Sequence, residues 1–458
     1  MQTRANRLWS TFVVATAIIS SSGMLLRADS PAPDIIYSDC TSVTHYGPIG
    51  TKHAYSLGSN TCNIGDANAH WTNSGSPALA MNMYRIKDGR MMQIGLGFCK
   101  TACCAAATNN CGLSCNGTGG QWLGAGCRDV YGAGYNAGQT KLAPRSALNM
   151  FTGAFSSFPP TTGDAIFRRL QVEQADLDPT LNAGALYFVE GQYVTDDDIP
   201  ARKGFNNNSY KRVTITPGTY EAAVTGSMFV GQPAIRAWRD HGLGIGVPDP
   251  SVTITSYGLA GAGQVMVGHK ATSLGGGLWR YDYGIFNFDI DKAVGGFSIP
   301  IPLGAPVSGI GFHDVDYHSG ELYDNADWTS TVVPGWITWS SPQTFAQNPN
   351  SNAIRWGTMY NFWFVTNRPP ATGVGTLTLF KPNTPQSGTI TMTVPQPCQL
   401  PGNVSMSGTP NGADVRKYID CMGDHSATGA DCDCADLDNN NVLDSVDTQA
   451  LVDLLLAD

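Results

Sequence analysis

The sequence predicts a mainly β protein: an antiparallel β-sandwich or jelly-roll body, a cysteine-rich, loop-rich N-terminal region, and a small α-helical module at the C-terminus. Three observations carry this reading. Charged residues are only 14% of the chain, against 53 glycines and 27 prolines, a balance that suits a turn-rich exported protein better than a cytosolic helical one. Runs of β-branched and aromatic residues recur through the middle of the chain, several with period-two alternation, and long helical periodicity is missing there. The twelve cysteines fall into two groups, eight up to Cys127 and four from Cys398 onward.

Residues 1–29 read as a signal peptide. Arg4 and Arg7 precede a mostly apolar stretch from Leu8 to Ile19, and the small residues Ser20–Gly23 follow. The apolar run is shorter than the ~20 residues of a membrane span. The sequence therefore predicts a secreted, extracellular or cell-surface protein with no transmembrane span.

Residues 30–160 hold Cys40, Cys62, Cys99, Cys103, Cys104, Cys111, Cys115 and Cys127 among short apolar pieces punctuated by Gly, Asn, Ser and Thr. In an exported chain such cysteines read as disulfides whose pairing spacing alone leaves open. Zinc is disfavoured, because the central cluster has neither a pair of C-x₂-C knuckles nor a histidine. The Pro159–Gly163 turn marks a soft boundary.

Residues 161–397 are expected to form the β-sandwich. Ala185–Val194, Val213–Thr216, Ser251–Thr255, Leu278–Asp289, Trp336–Trp339, Met359–Val365, Thr376–Phe380 and Thr389–Val394 are the strand candidates. Gly, Pro and Asn separate many of them, as in sandwiches.

Residues 398–458 form the last element, rich in Asp and Asn, with helical patterns at Asp414–Met422 and Thr448–Leu455. The first places Val415, Tyr418, Ile419 and Met422 on one face, and the second places Leu451, Leu454 and Leu455 together. Asp436, Asp438, Asn440, Val442, Asp444 and Asp447 occupy positions 1, 3, 5, 7, 9 and 12 of an EF-hand-type loop. Calcium takes six to eight oxygens, which such a loop supplies from short side chains and one backbone carbonyl, that of Val442 here. Asn441 stands at the bend, where a left-handed conformation is needed and Asn tolerates it. Asn403, Ser405, Ser407, Thr409, Asn411 and Asp414 repeat the spacing 33 residues earlier, with Gly408 at the bend and fewer carboxylates. Lower ligand charge predicts weaker binding there.

Two loop–helix units with Asp at position 12 resemble a dockerin, over Gly402 to Leu455. The resemblance implies a non-catalytic, calcium-dependent module that binds a cohesin-like domain or surface scaffold and often tethers polysaccharide-degrading enzymes. It also implies partner contacts at Gly412, Ala413, Ser445 and Val446 and along the adjoining helices. The first loop departs from the pattern at Asn403, Ser405 and Ser407, and at Pro410 where an inward apolar residue is expected. The body is similar to exported bacterial proteins that pair a β-rich region with a dockerin-type end. Met83–Gly89, Ala185–Val194 and Gly311–His318 carry that likeness, and it implies no activity.

In the body, His313, Asp314, Asp316, His318 and Glu321 form the densest polar cluster, with the face of Asp314, Asp316 and His318 as a candidate for metal or acid–base chemistry. Glu173, Asp176 and Asp178, and Asp196–Asp198, read as acidic turns. Trp279, Tyr281 and Tyr283 share a strand face suited either to a core or to sugar stacking. A net charge of −9 without any Lys/Arg run excludes nucleic-acid binding on electrostatic grounds. H-E-x-x-H, G-x-S-x-G and P-loop signatures are missing. The expected function is a non-catalytic binding or structural protein tethered by calcium, with polysaccharide as a candidate ligand. The alternative is a dockerin-bearing polysaccharide hydrolase, which requires two carboxylates facing each other in an aromatic-lined cleft.

Overall fold

Alternating residues dictate two apolar faces on the central strands, and the chain covers both. The computed structural model describes residues 31–72, 75–106, 111–259, 261–398, 400–423 and 431–457. The expected signal peptide lies outside the described residues. Ala32–Asp458 cluster as one unit.

The first sheet is antiparallel and runs, in spatial order, Ala222–Phe229, Asn208–Ile215, Leu186–Val194, Ala78–Lys87, Arg90–Leu96, Leu170–Glu173, Lys52–Leu57, Val43–Ile49. It curls until its two edges touch: Tyr55 donates its hydroxyl to the Tyr220 carbonyl at 2.7 Å, and His45 Nδ1 meets Glu221 Oε1 at 3.2 Å. Leu79, Met81 and Met83 face the hollow of the curl, among Ile94, Val172, Val189 and Val213. Ala78, Ala80, Tyr84 and Ile86 alternate with them on the outside.

The sandwich follows. One five-stranded sheet runs Thr253–Leu259, Gly263–Gly275, Leu278–Asn287, Met359–Thr366, Val307–His313. The other runs Thr329–Val333, Trp336–Ser340, Val294–Pro300, Pro370–Leu379, Ser387–Pro395. Tyr281, Tyr283 and Ile285 point between these sheets onto Phe297, Trp339, Phe362 and Leu377. Phe286 and Met359 point the other way and pack, with Trp238 and Trp356, on the outer face of the first sheet. Three β layers therefore share two cores between them, in addition to the core inside the curl.

This corrects the expected boundary at Pro159–Gly163. Leu186–Val194 pairs along its whole length with Ala78–Lys87, so strands from both sides of that turn lie in one sheet. The sandwich occupies 253–395, not 161–397. The N-terminal region is not held by disulfides alone, because two of its strands are central and buried. Turn composition marks a loop, but it carries no information about which strands pair across it.

Eight of the twelve cysteines form disulfides: Cys62–Cys111, Cys115–Cys127, Cys398–Cys434 and Cys421–Cys432. Cys40 and Cys99 are free and buried, and Cys103 and Cys104 are free nearer the surface. No helix among the described residues is long and apolar enough to cross a membrane.

Candidate metal centre

The helices Gly412–Gly423 and Ser445–Leu456 each follow a loop, and the two loops repeat the same bonding scheme. In the second loop the Asp447 carboxylate, fully buried, accepts the amide of Asp438 at 3.3 Å and that of Asp444 at 3.0 Å. In the first, Asp414, also fully buried, accepts the corresponding amides of Ser405 and Asn411, both at 2.6 Å. Asp436 and Asn403, at position 1, accept the amides of Asn441 (2.8 Å) and Gly408 (3.3 Å). A position-12 aspartate fits because its short side chain reaches back across the loop and also caps the helix. Asp444 and Asp447 make a capping box at the start of Ser445–Leu456. Asn441 takes φ 63° at the bend, the left-handed conformation its side chain tolerates.

The charge differs between loops. Asp436, Asp438 and Asp447 each turn one carboxylate oxygen into a space where all three lie within 4.8 Å. Burial raises the Asp436 carboxyl above its usual range, the amides of Asn441 and Asn440 pull it back, and the charge of Asp447 and a hydrogen bond with Asp438 add to the rise. Three carboxylates this close are oxygen donors of the kind a hard cation takes. Asp444 is not in this group; its Oδ1 accepts the Val446 amide at 2.7 Å. Asn440 Oδ1 accepts from the Val442 amide, and the Val442 side chain is exposed. In the first loop Asp414 is the sole carboxylate. Ser405 donates to Ser407, and the Asn411 amide group donates to the Thr409 carbonyl at 2.8 Å. That loop is closed by its own hydrogen bonds.

The module sits on the sandwich. Leu303 enters its core beside Val404, Tyr418, Cys421, Cys432, Ala435 and Leu451. Arg368 grips Asp431 through two hydrogen bonds, one of 2.7 Å. Gly335, at φ +83° in the turn between Thr329–Val333 and Trp336–Ser340, passes so close to Asn441 that a Cβ there would lie 2.6 Å from its Oδ1. The expected helix face is corrected: Tyr418 and Cys421 point inward, whereas Val415, Ile419 and Met422 are 42%, 63% and 44% exposed. Burying a side of the helix that carries a disulfide leaves this apolar stripe outside. On the second helix Leu451 is buried and Leu454 is exposed.

The polar cluster of the body does not form a metal-ligand group among the described residues. His313 Nε2 and His318 Nε2 bond the carbonyls of Gln93 (2.9 Å) and Leu96 (2.7 Å), which fastens their loop to the first sheet. Asp314 accepts from Asn352, and Glu321 accepts the Arg145 amide at 2.7 Å. Glu173 pairs with Lys52 at 2.9 Å, Asp176 with Arg85 at 2.9 Å, and Asp178 caps Thr180. A cleft of about 240 Å³ gathers Glu173, Asp176, His313, Asp314, Asp316 and His318, but no Trp, Tyr or Phe side chain lines it. Tyr281 and Tyr283 are buried in the sandwich core and Trp279, half-buried, packs against the same core, so that stripe is packing and not a sugar platform. His70, 126 residues from Asp196, joins Asp196 and Asp197, a proximity no local pattern reveals.

No family model and no curated protein sequence matches the chain. Among solved structures it is similar to a serine-rich repeat adhesion glycoprotein (Srr1) from Streptococcus agalactiae, at 10% identity and a TM-score of 0.20, over 75% of this chain and 89% of that one. It is also similar to the BSP domain of a biofilm associated protein, at 10% identity and a TM-score of 0.12, over 77% and 58%. Scores of this size establish no shared fold, and the reading of function rests on the residues of this chain.

Proposed function

We propose that this protein is an exported, non-catalytic binding or structural protein whose C-terminal dockerin-like module is stabilised by calcium and docks on a cohesin-like domain or surface scaffold. The carrying observation is the convergence of Asp436, Asp438 and Asp447 within 4.8 Å at the start of a capped helix. Calcium there neutralises charges that otherwise repel at close range. Asn440, Asp444 and the Val442 carbonyl complete the shell on this reading, and the first loop, with one carboxylate, is a scaffold that holds its helix without tight calcium. The Val415, Ile419 and Met422 stripe supplies an apolar face for the partner, since solvent-exposed side chains at i, i+4 and i+7 form one continuous ridge.

Titration calorimetry of the full, oxidised chain with CaCl₂ tests the module. One tight site, abolished in Asp436→Asn, is expected. Calcium-dependent retention on an immobilised cohesin domain, lost in Ile419→Asp, tests the partner. Absence of calcium binding to the wild type removes the proposal.

A further inference from the structure

A second donor set lies far from the C-terminal loops. His70 sits in the short strand Ala69–His70, paired with Trp122–Leu123, and Asp196 and Asp197 follow the end of Leu186–Val194. His70 Nδ1 is 3.3 Å from Asp196 Oδ1 and 3.4 Å from Asp197 Oδ2, and the three donor atoms lie within 4.8 Å of one another. We propose that His70, Asp196 and Asp197 form a binding site for a divalent first-row transition metal.

Four observations support it. The donors are held by backbone bonds and do not hang from free loops: the His70 amide donates to Asp197 Oδ2 at 2.8 Å, and the Asp196 amide donates to Ser76 Oγ at 3.0 Å. The next residue, Asp198, is fully buried and accepts the Ile35 amide at 3.0 Å, which anchors the run from behind. Among the described residues His70 is the one basic side chain paired with either carboxylate, so with a neutral imidazole two negative charges share the site uncompensated. Asp197 Oδ1 is buried with no hydrogen-bond partner, so the carboxylate whose Oδ2 faces His70 is half desolvated and carries a charge that gains from a cation.

The metal class follows from the donors. An imidazole nitrogen with two carboxylates suits Zn²⁺, Mn²⁺ or Co²⁺, whereas Ca²⁺ and Mg²⁺ favour oxygen shells. The His70 and Asp196 side chains are 41% and 42% exposed, so the site is open to solvent. Three protein ligands leave coordination positions for an outside ligand. Trp122, 41% exposed, lies with its ring centroid 4.4 Å from that of His70 and rims the site with an aromatic surface.

The test is Co²⁺ titration of the full, oxidised chain, freed of metal with EDTA and then held in excess CaCl₂ to fill the C-terminal loop. Visible absorption reports the coordination geometry of bound Co²⁺, its change in His70→Gln reports the nitrogen donor, and calorimetry with Zn²⁺ reports stoichiometry. One equivalent is expected. Asp196→Asn, an exposed substitution that leaves the fold intact, and His70→Gln should each weaken binding roughly 100-fold, since even loss of a residue supporting a metal ligand costs 10–100-fold. Asp436→Asn should leave it unchanged, as should Cys103→Ser with Cys104→Ser, which removes the exposed thiols as a rival site. No Co²⁺ or Zn²⁺ binding by the wild type overturns the proposal. So does binding that survives both Asp196→Asn and His70→Gln, or binding lost with the cysteines.

Discussion

Replacing Asp436 separates the two loops by their charge. If calcium binds the folded loop and not the unfolded chain, as proposed, it stabilises by RT ln(1 + [Ca²⁺]/Kd), about 2.7 kcal/mol at a hundredfold excess over Kd. Asp436 is 3% exposed and accepts the amides of Asn440 (3.1 Å) and Asn441 (2.8 Å), so alanine would remove the proposed calcium ligand and orphan two amides at once. Asp436→Asn is the cleaner change, because its carbonyl oxygen still accepts an amide while the charge is gone. Hydrogen exchange of the full chain, read on peptides covering 431–457 with CaCl₂ or EDTA, measures the difference locally. For the wild type, 2.7 kcal/mol is about a hundredfold slowing of exchange by calcium. Asp436→Asn should keep most protection in EDTA and lose the calcium effect. Asn403→Ala, in the loop with one carboxylate, should keep the calcium effect nearly whole. Equal losses from the two variants, or a calcium-insensitive wild type, would refute the charge argument.

Other expectations follow from single contacts. Arg368→Ala leaves Asp431, 7% exposed, without its cation, and should loosen the module by roughly 3 kcal/mol, seen as faster exchange at 431–435 with the sandwich unchanged. Cys398→Ser with Cys434→Ser opens a link of sequence separation 36, and the chain-entropy estimate puts the loss at about 4 kcal/mol, read in calcium-free denaturant unfolding of the module. His269 is 4% exposed and its Nδ1 accepts the Thr393 amide at 3.2 Å, tying the two sandwich sheets; burial lowers its pKa from 6.5 to about 4. The unfolded chain then binds the extra proton first, so stability should fall as pH drops from about 6.5 to about 4, by roughly 3 kcal/mol from this group. His269→Gln should make that part of the pH–stability curve shallower, leaving the share of His318, which burial also lowers to about 4. Asp198, raised to about 7 by burial, acts with the opposite sign: its neutral form is favoured in the fold, and its contribution declines as pH rises from about 4 to about 7.

Strands with strong alternation were legible. The candidates at 185–194, 278–289, 359–365 and 389–394 lie on Leu186–Val194, Leu278–Asn287, Met359–Thr366 and Ser387–Pro395. The 13-residue strand Gly263–Gly275 was not, because Gly, Ala, Ser, Lys and His interrupt its apolar residues and its place between two other strands, not its own composition, holds it extended. Both C-terminal helices were legible from loop spacing and the apolar periodicity that follows each loop. Which face of the first helix is buried was not, since the disulfide at Cys421 and the contact with Leu303 decide it.

The sequence by itself determined what depends on neighbours a few residues away: the strand-forming runs, the two loop–helix units, the left-handed Asn441, and the charge difference between the loops. The tertiary structure decided what depends on distant partners. It put Leu186–Val194 into one sheet with Ala78–Lys87, spent His313 and His318 on carbonyls of the first sheet, left Cys103 and Cys104 free, and brought His70 to Asp196 and Asp197. Those outcomes turn on which backbone edges pair and which polar groups lose water, and both are properties of the folded chain as a whole.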